Sequence, residues 1–134
     1  VVATMPAGQQ PGITSTTNAT VCQFIPHGSV LDRAVCAVTH GGMGATQKAL
    51  ARGIPVCVVP YGRDQLEVAR RVEVARCGTR LPARRLTPGR LRDKVQEAMG
   101  MVDGACRVAD GFVATGGVSR GADLVEQRLP SRGG

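Results

Sequence analysis

The chain has 134 residues, which is enough for one domain with a hydrophobic core and too few for two. Hydrophobic residues make up 43% of the chain and charged residues 20%, so the composition excludes a disordered protein, and no apolar run reaches the roughly 18 residues of a membrane span. The formal net charge is +7, and the basic residues are nearly all arginines.

Short apolar runs alternate with helical periodicity through the first 82 residues. In chain order, the pattern predicts a strand at 1–4, a loop at 6–18, a strand at 20–25, a short helix at 30–34, a strand at 35–39, a helix at 45–52, a strand at 54–59, a helix at 65–76 and a strand at 78–81. This alternation is typical of an α/β fold, and we expect a Rossmann-like parallel sheet flanked by helices.

The last third of the chain predicts helices only. Thr87 followed by Pro88 is typical of a helix N-cap and a first helical residue, and Gly116-Gly117 separates the last two helices. We expect one domain at residues 1–130 and a frayed tail at 131–134.

Arginines are concentrated between residues 70 and 92. They are Arg70, Arg71, Arg76, Arg80, Arg84, Arg85, Arg90 and Arg92. Arginines that neutralise phosphates would fit a nucleic-acid binder, but no aromatic residue for base stacking lies among them. We therefore assign them to the polar faces of helices and predict no nucleic-acid partner, with an arginine-mediated nucleic-acid binder as the weaker alternative.

Five cysteines are widely spaced and lie within apolar runs. They are Cys22, Cys36, Cys57, Cys77 and Cys106. The absence of a CxxC or Cys/His pattern speaks against a zinc site, and no metal ligands are predicted. We expect buried, reduced thiols, as in a cytoplasmic protein, and the sequence contains no recognisable signal peptide.

A glycine-rich turn joins the strand at 35–39 to the following helix. It reads Thr39-His40-Gly41-Gly42-Met43-Gly44-Ala45-Thr46. A helix N-terminus has unpaired N–H groups and a partial positive charge, and His40 adds a side-chain donor, so the turn predicts a phosphate site. The spacing is neither the dinucleotide fingerprint nor a P-loop. A purely structural role for the glycines, which permit positive φ and close helix packing, stays open.

Asp64 and Gln65 follow the buried strand at 54–59. Asp64 can cap the next helix, with Glu67 completing a capping box. Adjacent carboxylate and amide groups at such a turn can equally hydrogen-bond to the vicinal hydroxyls of a ligand. Both interpretations are compatible if the cap orients the carboxylate.

Phe24-Ile25-Pro26-His27 ends the second predicted strand. Phe24 is either a core aromatic residue or a platform for a flat base, with the Ile25 backbone pairing to the edge of the base. The loops after residues 25, 39 and 59 all follow parallel strands, so they lie at one edge of the sheet, where ligands of such folds bind.

The segments 24–27, 39–46, 53–56 and 64–65, in this order and spacing, resemble the nucleotide-sugar donor signature of family 1 glycosyltransferases, of the bacterial macrolide and glycolipid type. The resemblance implies a GT-B fold of two Rossmann-like domains, of which this chain is the C-terminal, donor-binding one. The first strand of that domain is then expected to be missing or to lie before Val1.

The resemblance also implies roles for individual residues. Phe24 and Ile25 would contact the nucleobase, and Asp64 and Gln65 would bind hydroxyls of the transferred sugar. The diphosphate would contact His40 and the turn that follows it, at Gly42, Gly44, Ala45 and Thr46.

Lys48 departs from the family pattern, because the family has Glu at this position, where it binds the ribose hydroxyls. A carboxylate accepts two hydroxyl hydrogen bonds, whereas an ammonium group only donates. Lys48 either reaches a phosphate oxygen or marks a relaxed donor site.

The implied function is transfer of a hexose or deoxyhexose, with inversion, from a UDP- or dTDP-sugar to a hydroxyl of a lipid or natural-product acceptor. No cofactor is implied. The catalytic base would lie in the N-terminal acceptor domain, so no residue of this chain is expected to be catalytic, and the chain alone is expected to be inactive. The alternative is a non-catalytic nucleotide-binding remnant or a partner-dependent subunit. A lipid acceptor would bring contact with a membrane surface, and an exposed sheet edge would permit a homodimer.

Overall fold

The computed structural model describes residues 1–5 and 16–129. Within these residues the elements follow in the order β1 (Val2–Thr4), β2 (Thr20–Cys22), α1 (His27–Leu31), β3 (Ala37–Thr39), α2 (Met43–Leu50), β4 (Val56–Val58), α3 (Asp64–Val74), β5 (Gly78–Arg80), a 3₁₀ helix (Ala83–Arg85), α4 (Pro88–Met99), α5 (Val102–Ala114) and α6 (Gly117–Glu126). Most of the predicted loop at 6–18 and all of the predicted tail at 131–134 lie outside the described residues.

The pairs formed by these five described strands are all parallel. Strand β1 pairs with β2, and β4 lies between β3 and β5 in a three-stranded sheet. In that sheet Thr39 lies opposite Val58, and Val58 opposite Arg80, so all three strands end at the same edge. The predicted α/β class with a parallel sheet flanked by helices is confirmed.

Strand β4 forms the centre of the core. Val56, Cys57 and Val58 are completely buried, as a strand covered on both faces requires. The helices contribute small and medium side chains to the same cluster, namely Ala49, Leu50, Ala69, Val72 and Ala105. With so few aromatic residues, the core depends on close approach of backbones and aliphatic groups.

The strands are shorter than predicted, and α1 begins at His27 rather than at residue 30. Pro26 occupies the N-cap position, and the chain turns into the helix directly after it. The Arg33 N–H then donates to the Val30 carbonyl and ends the helix before Ala34, so the predicted helix was displaced toward the C-terminus.

Helix α4 begins as predicted. The N–H of Arg90 donates to Thr87 Oγ1 at 3.3 Å, and Pro88 is the first helical residue. Helix α6 buries none of its residues, and Val118 is 91% exposed. None of the helices in the described part of the chain is long and apolar enough to cross a membrane.

The five cysteines are all free. Cys57 and Cys77 are buried and Cys22 and Cys36 half-buried, but Cys106 is exposed, so the prediction of burial was wrong for Cys106. Cys106 lies on α5 against the turn at Gly53, where the helix still faces solvent. Burial raises the pKa of the Cys36 thiol to about 11, which keeps this group protonated.

Gly104 brings α5 against the turn between α3 and β5. A Cβ atom at Gly104 would lie 1.8 Å from the Arg76 carbonyl oxygen and 2.5 Å from the Arg76 carbonyl carbon. Gly111 lies on the same helix, and a Cβ atom there would contact nothing within 4 Å. The two glycines therefore differ in packing while sharing one helical environment.

We expect Gly104→Ala to lower the free energy of unfolding by about 2–3 kcal/mol, because the added methyl group displaces a backbone. The control Gly111→Ala should raise it by up to about 1 kcal/mol through helix propensity. Urea unfolding followed by far-UV circular dichroism measures both. Equal midpoints for the two variants would show that the α5 contact carries no packing constraint.

Candidate functional site

A cleft of about 480 Å³ opens at the carboxyl ends of the strands. It receives residues from both sheets and from the start of α4, namely Thr4, His27, Val38, Thr39, His40, Ala45, Val59, Tyr61, Leu86 and Leu91. Both histidines of the chain line it. The predicted common edge thus coincides with a real concavity.

Gly41 and Gly42 shape the turn after β3. Gly41 has φ of +90°, and a Cβ atom there would lie 3.0 Å from Val58 Cγ1 and 3.1 Å from the Gln65 carbonyl oxygen. A Cβ atom at Gly42 would lie 2.6 Å from Nε2 of His40. The imidazole of His40 therefore lies directly over Gly42, at the start of α2.

The N-terminus of α2 presents unpaired donors. Gly42 is the N-cap residue, and no side chain caps the helix. The Thr46 N–H donates to the Gly42 carbonyl at 3.1 Å, whereas the N–H groups of Met43, Gly44 and Ala45 have no acceptor among the described residues. Three oriented donors, the positive end of the helix and a nearby imidazole together suit an anion.

Thr46 is a buried residue that stabilises this turn. It is 2% exposed, and its Oγ1 lies 3.2 Å from Thr39 Oγ1, which accepts the Gly41 N–H at 3.1 Å. Its own N–H already bonds to Gly42. Of the predicted phosphate contacts, Gly42, Gly44 and Ala45 are thus at the helix start, and Thr46 fixes their position.

Asp64 is not the N-cap of α3, so that interpretation was wrong. Arg63 takes the N-cap position with φ of 55°, and Asp64 is the first helical residue with no capping hydrogen bond. Glu67 forms an ion pair with Arg71, with Nε and Oε1 3.0 Å apart, instead of reaching back to complete a capping box. The carboxylate of Asp64 is exposed and has no hydrogen-bond partner among the described residues.

Gln65 makes two hydrogen bonds within the loop before α3. Its Oε1 accepts the Tyr61 N–H at 2.9 Å, and its own N–H donates to the Gly62 carbonyl at 3.2 Å. Tyr61 lines the cleft, although the sequence analysis did not propose it as a site residue. The available signal was its position, directly after the most buried strand and Pro60.

Of the predicted site residues, His40 and Ala45 line the cleft. The others are not among its lining residues, namely Phe24, Ile25, Gly42, Gly44, Thr46, Lys48, Asp64 and Gln65. Phe24 is 82% exposed, so its interpretation as a core residue was wrong, while its role as a platform stays a prediction. Ile25 is half-buried beside it, and Lys48 is exposed on α2. The structure therefore groups His40, the start of α2 and the Tyr61 loop most closely.

A separate cavity of about 280 Å³ lies beyond β5, and three arginines of the cluster line it. Arg80, Arg85, Arg90 and Lys94 line it together with Asp93. Arg80 pairs with Glu73, and Lys94 pairs with Glu97, so much of this positive charge is balanced within the chain. The helix start with the unpaired backbone donors lies instead next to His40, and His40 and Ala45 line the cleft that we take as the candidate site.

Comparisons with known proteins identify the family of the chain. Residues 1–120 match the family described as erythromycin biosynthesis protein CIII-like, C-terminal domain. The uncharacterized UDP-glucosyltransferase YojK of Bacillus subtilis is 32% identical over 118 residues, covering 86% of this chain and 29% of that protein. The 4'-demethylrebeccamycin synthase of Lentzea aerocolonigenes is 34% identical over 112 residues, covering 81% and 27%. The chain thus spans less than a third of either relative.

Solved structures give the same result. The glycotransferase of kitacinnamycin superposes with a TM-score of 0.87 at 32% identity, over 96% of this chain and 35% of that one. The glycosyltransferase VinC in complex with dTDP superposes with a TM-score of 0.73 at 27% identity, over 84% of this chain and 30% of that one.

We expect Gly42→Ala to displace the His40 imidazole from the helix start, because the new methyl group would occupy the position of the ring. The backbone of Gly42, at φ −62° and ψ 129°, suits any residue, so the effect is steric. The His40 ring-proton resonances in an NMR spectrum should shift in Gly42→Ala. In the control Gly44→Ala, where a Cβ atom meets nothing within 4 Å, they should stay in place. Unshifted resonances in both variants would contradict the described position of the ring.

Proposed function

Because the chain belongs to the family of erythromycin biosynthesis protein CIII-like C-terminal domains of glycosyltransferases, we propose that it binds the nucleotide-sugar donor of such an enzyme. The observation that carries this proposal is the start of α2, where three successive N–H groups have no partner among the described residues and where Ala45 and His40 line one cleft. A diphosphate matches that arrangement of donors and positive potential.

The donor is a nucleoside-diphosphate hexose or deoxyhexose, with UDP or dTDP as the nucleotide. The relative YojK is named a UDP-glucosyltransferase, and the structure of VinC was solved in complex with dTDP. These two names support UDP and dTDP as candidate nucleotides. Phe24 and Ile25 face the base in this proposal, and Asp64 and Gln65 bind sugar hydroxyls. The exposed, unpaired carboxylate of Asp64 is suited to accept such bonds.

Transfer proceeds with inversion to a hydroxyl of a lipid or natural-product acceptor. Negative charge develops on the leaving diphosphate, and the oriented N–H groups of α2 together with His40 stabilise it without reorganising. The base that deprotonates the acceptor belongs to a separate acceptor domain of the whole enzyme. The 134 residues alone therefore bind the donor and do not transfer its sugar.

A second candidate is a nucleotide-binding module without catalytic activity, either a remnant or a subunit that needs a partner. Lys48 favours it, because the exposed ammonium group on α2 cannot accept hydrogen bonds from ribose hydroxyls. The two candidates share the diphosphate site and differ in how firmly the ribose is held.

We expect UDP and dTDP to bind the chain with at most millimolar dissociation constants in isothermal titration calorimetry. His40→Ala should weaken both by roughly tenfold, since it removes a hydrogen bond to a charged group. Arg92→Gln, an exposed change outside the cleft, is the control and should leave both constants unchanged. Absence of binding by either nucleotide at millimolar concentration would eliminate the donor-domain proposal.

Lys48→Glu should tighten UDP binding by roughly tenfold or more, because a carboxylate at this position accepts the ribose hydroxyls. Lys48→Gln removes the cation without supplying a carboxylate and serves as the matched control. The same calorimetric titration compares the three proteins. An affinity that does not change in Lys48→Glu would count against a ribose contact at this position.

A further inference from the structure

The cleft has an aromatic wall that the donor contacts proposed above leave unused. Resting on the proposed function, we propose that Tyr61 is a further donor-binding residue whose ring packs against the transferred hexose, and that Gln65 is the residue that positions it. The juxtaposition of Tyr61, Leu86 and Leu91 in the cleft that also holds His40 is the basis of this assignment.

The Tyr61 side chain is free to contact a ligand. It is 71% exposed, although it directly follows the buried residues Val59 and Pro60. An exposed aromatic face beside aliphatic side chains offers a surface for the C–H groups of a pyranose ring, and the phenol hydroxyl both donates and accepts. A hexose presents both kinds of group at once.

The loop that carries Tyr61 is held at both ends. Gln65 Oε1 accepts the Tyr61 N–H at 2.9 Å, and the Gln65 N–H donates to the Gly62 carbonyl at 3.2 Å. Arg63 keeps φ of 55° between these two bonds, a conformation that a non-glycine residue adopts only when its surroundings impose it. The Gln65 amide oxygen is thus used by the loop, while its NH₂ group remains for a ligand.

The order of the strands in the sheet determines which part of the donor lies near Tyr61. The Tyr61 loop leaves the sheet after β4, one strand from the His40 turn and toward β5. Thr4 and His27 reach the cleft from β1 and α1 instead, and Phe24 precedes α1. With the diphosphate at the start of α2 and the nucleoside toward α1, the hexose lies on the side of Tyr61.

Tyrosine fluorescence tests this directly, because the chain has one tyrosine and no tryptophan. Emission then reports Tyr61 alone. We expect saturating UDP-glucose to lower the acrylamide quenching constant of the native 134-residue chain by about half, since a ligand in a cleft covers the residues that contact it. UDP at saturation should leave that constant close to its value in the free protein.

Variants test the same contact through affinity. Tyr61→Ala should weaken UDP-glucose about fivefold in calorimetry and leave UDP unchanged, because only the sugar loses its aromatic partner. Tyr61→Phe keeps the ring and should retain most of the affinity. Equal affinities of Tyr61→Ala and the native chain for UDP-glucose would overturn the assignment.

Gln65 variants separate positioning from direct binding. Gln65→Glu retains an oxygen that accepts the Tyr61 N–H, so UDP-glucose should still protect Tyr61 from acrylamide. Gln65→Leu has a similar size without an acceptor, and the protection should be lost. Protection that persists in Gln65→Leu would show that Gln65 does not position the loop.

The failure of this inference can be distinguished from failure of the proposed function. If neither UDP nor UDP-glucose binds, the proposed donor site is wrong. If both ligands bind and change the acrylamide quenching constant of Tyr61 to the same extent, the diphosphate site stands and the hexose contact of Tyr61 is overturned.

Discussion

The close approach of the Gly41 backbone to β4 and to Gln65 is the constraint on which the rest of the site depends. A side chain at this position would be strained, since φ is +90° and a Cβ atom would lie in tight contact with both Val58 and the Gln65 carbonyl. The turn that starts α2 and the loop that starts α3 are therefore locked against the same buried strand. The Thr39 and Thr46 hydroxyls contact each other, and Thr39 Oγ1 also accepts the Gly41 N–H, which further fixes the turn. The two loops therefore share one close-packed contact.

The proposed anion site derives its positive potential from the backbone more than from the excess of arginines. The N–H groups at the start of α2 are already oriented by the helix, so they need no side-chain ordering when an anion arrives. The arginines of residues 70–92 lie largely on exposed helix faces, and Arg71 and Arg80 are paired with Glu67 and Glu73. Exposed pairs of this kind contribute little to stability and much of their field is screened. Net charge and ligand site are thus separate properties of this chain.

Features set by local chemistry could be predicted from the sequence. The apolar run of β4, the Thr87-Pro88 helix start and the glycine-rich turn each depend on a few neighbouring residues, and each is found in the structure. Whether Arg63 or Asp64 is the N-cap of α3 could not be predicted from neighbouring residues. It depends on the hydrogen bond between Gln65 and Tyr61 and on the packing of Gln65 against Gly41. The burial of Thr46 likewise depends on how α2 meets β3. Tyr61 carries no periodic signal, and only the arrangement of the strands brings it to the cleft.

The central, diphosphate-binding part of the proposed donor site depends on sequence differently from its nucleoside and sugar parts. Beside the His40 side chain it uses main-chain N–H groups, which most substitutions preserve as long as the glycines at 41 and 42 remain. The nucleoside and sugar parts rely mainly on side chains, so single substitutions remove individual contacts there. Lys48 illustrates the consequence, since it presents a donor on α2 where the family resemblance implies an acceptor, and the three N–H groups before it keep their positions at the helix start. We therefore expect a substitution in the nucleoside or sugar part to change that preference while diphosphate binding is retained. In this proposal Tyr61 belongs to the sugar part, and the Gln65 hydrogen bond holds its loop in a geometry that the sheet alone does not impose.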